Sequence, residues 1–458
     1  MNLPSLRRVY CLGLGGVGVS AVAKYLLRHG ISVAGSDPVR SPLTADVEAL
    51  GGRHFVDVDP QRLSPDVDLV IYSDACPPDH PELVAARRLG RPVMTFAESL
   101  GAIMHSFPRR VIIAGTNGKS TTTALTGLLL ESAGLNPTVF VGSRLSSFNG
   151  NLRFGGQQVF VAEGDEYRQH FHQLEPTILT LTNLEPDHLD FFHNLPTLIA
   201  SFDTMVGRLD RSGRLVLNID DPIIRRQWGR HPARLTFGFN RSADVVVEDY
   251  RTAAGRQLFR LRTRQGDLGQ FILHVPGRFN VMNVVAAVAT ALSTGAEPQQ
   301  FIRTVAAFRG IWRRFELLNP QAAVTVVNDY AHHPTAVRGT LEGAKSFFPG
   351  RRLIAVFQPH HHIRLATLFT DFCQSFRSAD LTIVSEVYAV LGREEPATKT
   401  SRDLTQALRR QGQSVEYAAT VAEAGSLVRR LVQPGDVVVI MGAGDIWRLA
   451  QSLAAEYV

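Results

Sequence analysis

The residues of this chain whose types and spacing best suit chemistry are Gly115-Thr116-Asn117-Gly118-Lys119-Ser120, with Thr121-Thr122-Thr123 from the next position on. An apolar run, 110–114, leads into them, and a helical pattern follows from 120 to about 133. Glycines on a strand-to-helix turn let successive backbone N–H groups converge on one anion, and the helix N-terminus adds a partial positive charge. On such a loop Lys119 reaches the β- and γ-phosphates of a nucleotide, and Ser120 offers an oxygen to Mg2+. The common G-x-x-x-x-G-K-[ST] spacing is not met, because Ile113 stands five positions before Gly118; the match is to the shorter G-T-x-G-K-[ST] form. The competing reading is a glycine-rich turn with an exposed lysine. Composition speaks against it: of 48 Lys and Arg residues only Lys24, Lys119, Lys345 and Lys399 are lysine, so a lysine kept here stands out. ATP with Mg2+ is the expected ligand.

A second turn, Gly13-Leu14-Gly15-Gly16-Val17-Gly18, satisfies G-x-G-x-x-G, with Asp37 about 20 residues further on. The same amide and dipole physics holds any diphosphate, so this pattern alone leaves a nicotinamide cofactor, a nucleotide sugar and a turn that merely needs glycine all open. Gly15, Gly16, Val17, Gly18 and Asp37 are the candidate contacts. Two phosphate sites favour a reaction joining two phosphate-bearing substrates.

The elements that must position these turns read as α/β throughout. A strand at 8–14, a helix at 19–29 and a strand at 31–35 open the chain as βαβ, and runs at 68–73 and 92–95 repeat the strand pattern. Strand, glycine loop and helix begin again at 110, and strand-like runs recur at 159–162, 178–182 and 214–218. Alternating short segments over 237–275 suggest an antiparallel insertion, and a helix at 280–294 closes the stretch. Strands at 324–328, 353–358, 381–384 and 436–441 form a further α/β unit. The expectation is three domains: a Rossmann-like domain at 1–107, a central phosphate-loop domain at 108–309 and a C-terminal Rossmann-like domain at 310–458. A length of 458 residues fits that number at roughly 150 per domain.

Composition narrows the partners. A net charge of +6 without long basic runs suits phosphorylated small molecules better than nucleic acid. Three scattered cysteines, Cys11, Cys76 and Cys373, form neither a disulfide framework nor a metal cluster, which points to a reducing, cytoplasmic setting. No apolar run approaches the ~18 to 20 residues of a membrane span. Arg7-Arg8 followed by apolar residues imitates a secretory signal, but Gly13, Gly15, Gly16 and Gly18 interrupt it.

These motifs, taken together, resemble those of the Mur ligases, which build the peptide of peptidoglycan on a UDP-sugar. The resemblance runs in order along nearly the whole chain: the Gly13–Gly18 turn with Ser20, the loop from Gly115 to Thr123, Ala162-Glu163-Gly164-Asp165-Glu166, and Thr182-Asn183-Leu184-Glu185-Pro186-Asp187-His188. It continues through Asn280 to Asn283, Arg313-Arg314-Phe315-Glu316, Asp329-Tyr330-Ala331-His332-His333-Pro334, Gln358-Pro359-His360 and Gly442-Ala443-Gly444-Asp445. Within the family the branch that joins L-alanine to UDP-N-acetylmuramate is most similar. The resemblance implies three domains for UDP-sugar, ATP and amino acid, and a reaction in which ATP phosphorylates the lactyl carboxylate, the amine attacks the acyl phosphate, and phosphate leaves. It implies that Lys119, Glu163, His188 and His332 stand nearest the chemistry. Ser120 and Glu163 would hold one Mg2+ and His188 a second; Asn283, Arg314 and Asp329 would grip the nucleotide; Tyr330, His332 and Arg364 would take the amino acid, Arg364 as carboxylate clamp. A monomer or weak homodimer is expected.

Three departures from the family pattern matter. The loop reads Thr-Asn-Gly-Lys-Ser where Thr-His-Gly-Lys-Thr is usual; Phe279 stands where a His often precedes the Asn; and His361 occupies the place of an expected second Arg. No Lys lies between His188 and Gly213 to be carbamoylated. Other readings are a murein-peptide ligase on the same sugar, an NAD(P)-dependent oxidoreductase, which leaves 115–120 unexplained, and a nucleotide-sugar binding protein without turnover. A zinc site from His332, His333 and His360-His361-His362 lacks supporting Cys or Glu spacing.

Overall fold

The computed structural model describes residues 6–253, 255–320, 322–388 and 398–457. The chain divides into two compact units. One comprises Met1–Val247, Arg262–Leu268 and Asn283–Thr304; the other comprises Glu248–Leu261, Gly269–Met282 and Val305–Val458.

In the first unit, apolar runs bounded by glycine and polar turns form β1 (Arg8–Leu12), β2 (Ser32–Ser36), β3 (Arg53–Phe55), β4 (Leu69–Tyr72) and β5 (Val93–Thr95). They make a parallel sheet in the order β3-β2-β1-β4-β5. The strand order reverses between β1 and β4, and an open parallel sheet binds its ligands beyond the carboxyl ends of the strands at such a switch point. The glycine turn leaves β1 there. It enters the helix Val17–Arg28, which turns Val19, Val22, Ala23 and Leu26 inward at helical spacing and stops at Gly30, whose φ of 78° suits glycine.

The second sheet begins with β6 (Arg109–Ala114), β7 (Thr138–Leu145), β8 (Gly150–Arg153), β9 (Val159–Gly164), β10 (Ile178–Leu181), β11 (Arg214–Asn218) and β12 (Arg234–Gly238), and β13 (Val245–Ala253), β14 (Arg256–Thr263) and β15 (Gly266–Leu273) continue its strand order. β6 lies between β9 and β10, parallel to both, so Ala114 sits level with Gly164 and Leu181 where the phosphate loop begins. One core serves both sheets of this unit, from Val9 and Ile71 through Phe107 to Phe160 and Leu217. Phe107 itself is buried in that core.

The expected antiparallel insertion at 237–275 opens with parallel strands: β13 runs parallel to β12, with Phe237 opposite Val245. Phe237 and Gly238 belong to β12, which runs parallel to β11 with Leu217 opposite Thr236. An antiparallel pair occurs instead at β7 and β8, where Asn149 (φ 49°) and Gly150 (φ 143°) reverse the chain.

The second unit holds β16 (Glu316–Leu317), β17 (Thr325–Asp329), β18 (Leu353–Phe357), β19 (Leu381–Ser385), β20 (Val415–Ala418) and β21 (Val437–Met441), ordered β16-β17-β21-β18-β19-β20 and parallel except for β16. Val326, Ile354, Val438 and Ile440 form its buried centre. No helix among the described residues is long and apolar enough to cross a membrane.

Gly115 shows how tightly the second sheet constrains the loop. Its φ is 131°, and a Cβ there would overlap Thr182 Oγ1 and come within 2.8 Å of the Asn183 carbonyl. Gly115→Ala should therefore lower the unfolding free energy by about 1–3 kcal/mol from backbone strain alone. A thermal melt matching that of the parent protein would contradict this.

Candidate active site

The phosphate loop is shaped from the side as well as from within. The Thr116 amide donates to the Asn183 carbonyl at 3.0 Å, and the Asn117 amide donates to Asn183 Oδ1 at 2.9 Å. Asn183 Nδ2 and Thr182 Oγ1 both donate to the Asn117 carbonyl, at 2.9 and 2.7 Å. Thr116 Oγ1 exchanges hydrogen bonds with the Glu185 backbone. Thr116 and Asn117 are thus engaged in holding the loop's shape. Gly118, with φ 84°, caps the helix Lys119–Ser132, and the first intrahelical partner is made by Thr122 N–H with the Gly118 carbonyl. The amides of Lys119, Ser120 and Thr121 have no acceptor within the helix, which is the arrangement that attracts an anion. A Cβ at Gly118 would strike Asn283 Oδ1, so Asn283 stands directly over the loop; that oxygen also accepts from Thr122 Oγ1 at 3.4 Å.

Lys119 Nζ donates to Glu166 Oε2 at 2.7 Å and Oε1 at 3.0 Å, and to the carbonyls of Gly115 (2.6 Å) and Thr116 (3.2 Å). Burial alone would lower the pKa of this ammonium, but the carboxylates of Glu166, Asp165 and Glu163 outweigh it and hold the pKa above the usual lysine range. The group stays charged. Ser120 Oγ donates to Glu163 Oε2 at 3.0 Å, and Glu163 Oε1 accepts from the Gly142 amide. His188 is placed elsewhere: its Nε2 is 3.9 Å from both Glu166 Oε1 and Asp187 Oδ2, and its ring lies 4.8 Å from that of Tyr167. Ser120 and Glu163 are therefore brought together, while His188 sits beside Glu166. Among the described residues no three His, Cys, Asp or Glu side chains form a metal-holding group, which leaves the histidine zinc reading without support.

At the first turn, Asp37 Oδ2 accepts from the Gly15 amide at 2.9 Å and Oδ1 accepts from Val39 N–H at 3.0 Å. Gly16 caps the following helix without a side-chain hydrogen bond, so Val17, Gly18 and Val19 present amides unpaired within the helix. Gly18 has no room for a Cβ because the Phe96 ring would lie 2.6 Å away.

In the second unit, Asp329 is buried and accepts from the amides of Phe315 (2.9 Å) and Ala331 (2.7 Å). Burial pushes its carboxyl above the usual range, against the pull of Arg314 and of those amides. Arg314 lies over the Tyr330 ring at 4.5 Å. Its neighbour Arg313 is the buried one; it donates to the carbonyls of Gly442 and Gly444 at 2.6 and 3.0 Å, and burial lowers its guanidinium to about 10. Tyr330 and His332 meet edge to face at 5.1 Å, His332 lies 5.9 Å from His360, and Arg364 Nη1 reaches the His360 carbonyl at 3.4 Å. His361 takes a left-handed φ of 69° at the start of the helix His362–Thr367.

Three family matches tile the chain: the Mur ligase family catalytic domain at residues 8–108, the Mur ligase middle domain at 113–291, and the Mur ligase glutamate ligase domain at 313–444. The UDP-N-acetylmuramate–L-alanine ligase of Sulfurihydrogenibium sp. (strain YO3AOP1) is 34% identical over 457 residues, covering 98% of this chain and 97% of the relative. The chain belongs to the Mur ligase family. The ligase of the same name from Salinibacter ruber is 36% identical over 454 residues, with 98% and 95% covered. Among solved structures, the UDP-N-acetylmuramate-alanine ligase of Thermotoga maritima superposes with a TM-score of 0.84 at 27% identity, covering 98% of this chain and 99% of that one.

In this Mur ligase, three residues around the loop escaped the sequence reading. Glu166 is the direct partner of Lys119, and Asn183 shapes the loop; both lie inside motifs already recognised, so their signal was a cluster of acids and an Asn at strand ends beside a phosphate loop. His170 was missed as well. Its Nε2 lies 2.6 Å from Asp74 and its Nδ1 3.0 Å from Asp165. Burial would lower the imidazole, but the Asp165 and Asp74 carboxylates raise it to about 9. The groups facing it also include Arg168, bonded to the Asp74 carbonyl, and Lys119 and His188, which act on Asp165. The folded value lies above the roughly 6.5 of an unfolded chain, so this stabilisation is complete below that pH and is lost as pH rises through about 9. Melting temperatures of the parent protein should fall more steeply over that window than those of His170→Gln. Parallel curves would contradict the assignment.

Proposed function

We propose that this chain joins L-alanine to the lactyl carboxylate of UDP-N-acetylmuramate, cleaving ATP to ADP and phosphate, as a step in peptidoglycan synthesis. The observation that carries the reading is Lys119, charged and seated at an amide-lined helix start beside the Ser120–Glu163 pair, in a chain related over its full length to ligases of that activity.

In this reading the turn at Gly15, Gly16, Val17 and Gly18 binds the sugar pyrophosphate through its amides, with Asp37 fixing the turn. The loop from Gly115 to Thr121 takes the ATP phosphates, and Asn283 borders it. Lys119 exchanges the carboxylate of Glu166 for the β- and γ-phosphates; its three protons are directional donors to either set of oxygens. The lactyl carboxylate oxygen attacks the γ-phosphorus and ADP leaves; the alanine amine then attacks the acyl carbon, and the tetrahedral adduct expels phosphate with that carboxylate oxygen. Both steps gather negative charge, which the ammonium and fixed amides offset. The Ser120 hydroxyl and Glu163 carboxylate are the oxygen donors Mg2+ prefers, and that ion would neutralise charge on the phosphates. His188 is the proposed holder of a second ion. Arg314 and Asp329 serve the nucleotide, while Tyr330, His332 and Arg364 serve the amino acid, with Arg364 gripping its carboxylate.

ADP release should require UDP-N-acetylmuramate and an amino acid together, with L-alanine preferred in a panel of Gly, L-Ser and a murein tripeptide. Lys119→Ala should reduce it by about 10²–10³-fold or more. Equal turnover with sugar and amino acid both omitted would overturn the reading.

A further inference from the structure

We propose that His170 is a positioning residue that couples the two phosphate sites, tying the segment after β4 to the carboxylate cluster around Lys119. The inference rests on the reading just given, in which the Gly13 turn takes the sugar nucleotide and the Gly115 loop takes ATP.

His170 lies in the segment Tyr167–Gln173, and its side chain is 15% exposed. The ring stands between two carboxylates from different sheets of the same compact unit. Asp74 follows β4 of the first sheet, and Asp165 follows β9 of the second. Nδ1 is hydrogen-bonded to Asp165 Oδ2, while Nε2 lies 2.6 Å from Asp74 Oδ2 without hydrogen-bond alignment, so it is the charge of an imidazolium set between two carboxylates that ties them. Without that cation, Asp74 and Asp165 would confront each other as like charges across the junction. Arg168 reinforces the tie by donating to the Asp74 carbonyl at 3.1 Å, and both Arg168 and Gln169 take left-handed backbone angles to bring the ring into place.

Each end of the bridge abuts a phosphate turn. Ser73, the neighbour of Asp74, packs so closely on Gly13 that a Cβ there would lie 2.9 Å from the Ser73 Cβ; its amide also donates to the Leu12 carbonyl at 3.0 Å. At the other end Asp165 adds to the field that keeps Lys119 charged, next to Glu166, which bonds it directly. A shift of the Gly13 turn on filling is thus passed through Ser73 and Asp74 to His170, and from there to Asp165 and Lys119. A structural staple alone would stabilise the fold. A coupling element must in addition change the affinity for one ligand when the other is bound, equally in both directions.

The test is a thermodynamic cycle on the full chain. Calorimetry gives the dissociation constant of UDP-N-acetylmuramate with and without a non-hydrolysable ATP analogue and Mg2+, for the parent protein, His170→Gln, Asp74→Asn and the double variant. The parent should show at least about fivefold tighter sugar-nucleotide binding when the analogue is present. In both single variants that ratio should fall to within twofold of one, and the double variant should show no further loss. The charge-retaining His170→Lys should recover part of it. Parent-like ratios in the folded single variants overturn the proposal, as does a ratio of one in the parent. Should His170→Gln fail to fold, Asp74→Asn, which leaves the buried ring in place, decides by the same criterion. A parent protein that binds neither nucleotide instead overturns the functional reading beneath it.

Discussion

The site depends on one ion pair, the ammonium of Lys119 held 2.7 Å from the buried carboxylate of Glu166. A charge taken from water needs a partner, and here the partner is fixed before any ligand arrives. Two loop carbonyls complete the ammonium's shell, so the side chain folds back over its own loop and braces it. In the proposed reading, a polyphosphate enters a space where amides have already converged and the cation is already charged, and its oxygens replace those of Glu166. Glu163 and Asp165 strengthen the same field, and Ser120 joins it through Glu163.

The fold exists, in functional terms, to keep these groups at the ends of neighbouring strands. β6 and β9 run parallel with Ile113 opposite Glu163, which places the acid beside the root of the loop. β10 lies on the other flank, and the Thr182-Asn183 segment leaving it holds the loop by its backbone. The first sheet repeats the device more simply, with a glycine turn at a switch point and a carboxylate, Asp37, bonded to the turn's own amide. Long-range contacts thus converge on two short glycine segments.

Much of this was legible in the sequence, for physical reasons. Strands buried on both faces must be continuous apolar runs, so β1, β6, β11 and β21 can be read directly. Glycines with left-handed backbone angles punctuate them, which exposes both phosphate turns. What could not be read was the identity of partners across distance. Whether Lys119 meets Glu163, Asp165 or Glu166 depends on how the chain leaves β9, and spacing carries no record of it. Arg313 and Arg314 are adjacent and both guanidinium groups lie over the Tyr330 ring, yet with Arg313 and Phe315 at left-handed angles only the first is buried, against the carbonyls of Gly442 and Gly444. The hairpin of β7 and β8 hid behind a reversal at Asn149, a residue that is unremarked in sequence until its φ is known. His170 is one of 15 histidines, and only the meeting of two sheets sets it apart.

The central claim is that the phosphate loop delivers the terminal phosphoryl group to a carboxylate oxygen. Isotope tracing tests it most directly: UDP-N-acetylmuramate labelled with ¹⁸O in the lactyl carboxylate is turned over with ATP and L-alanine, and the released phosphate is analysed. The account predicts ADP as the nucleotide product and one ¹⁸O atom carried into each phosphate. Unlabelled phosphate, or AMP with pyrophosphate in place of ADP, would contradict it.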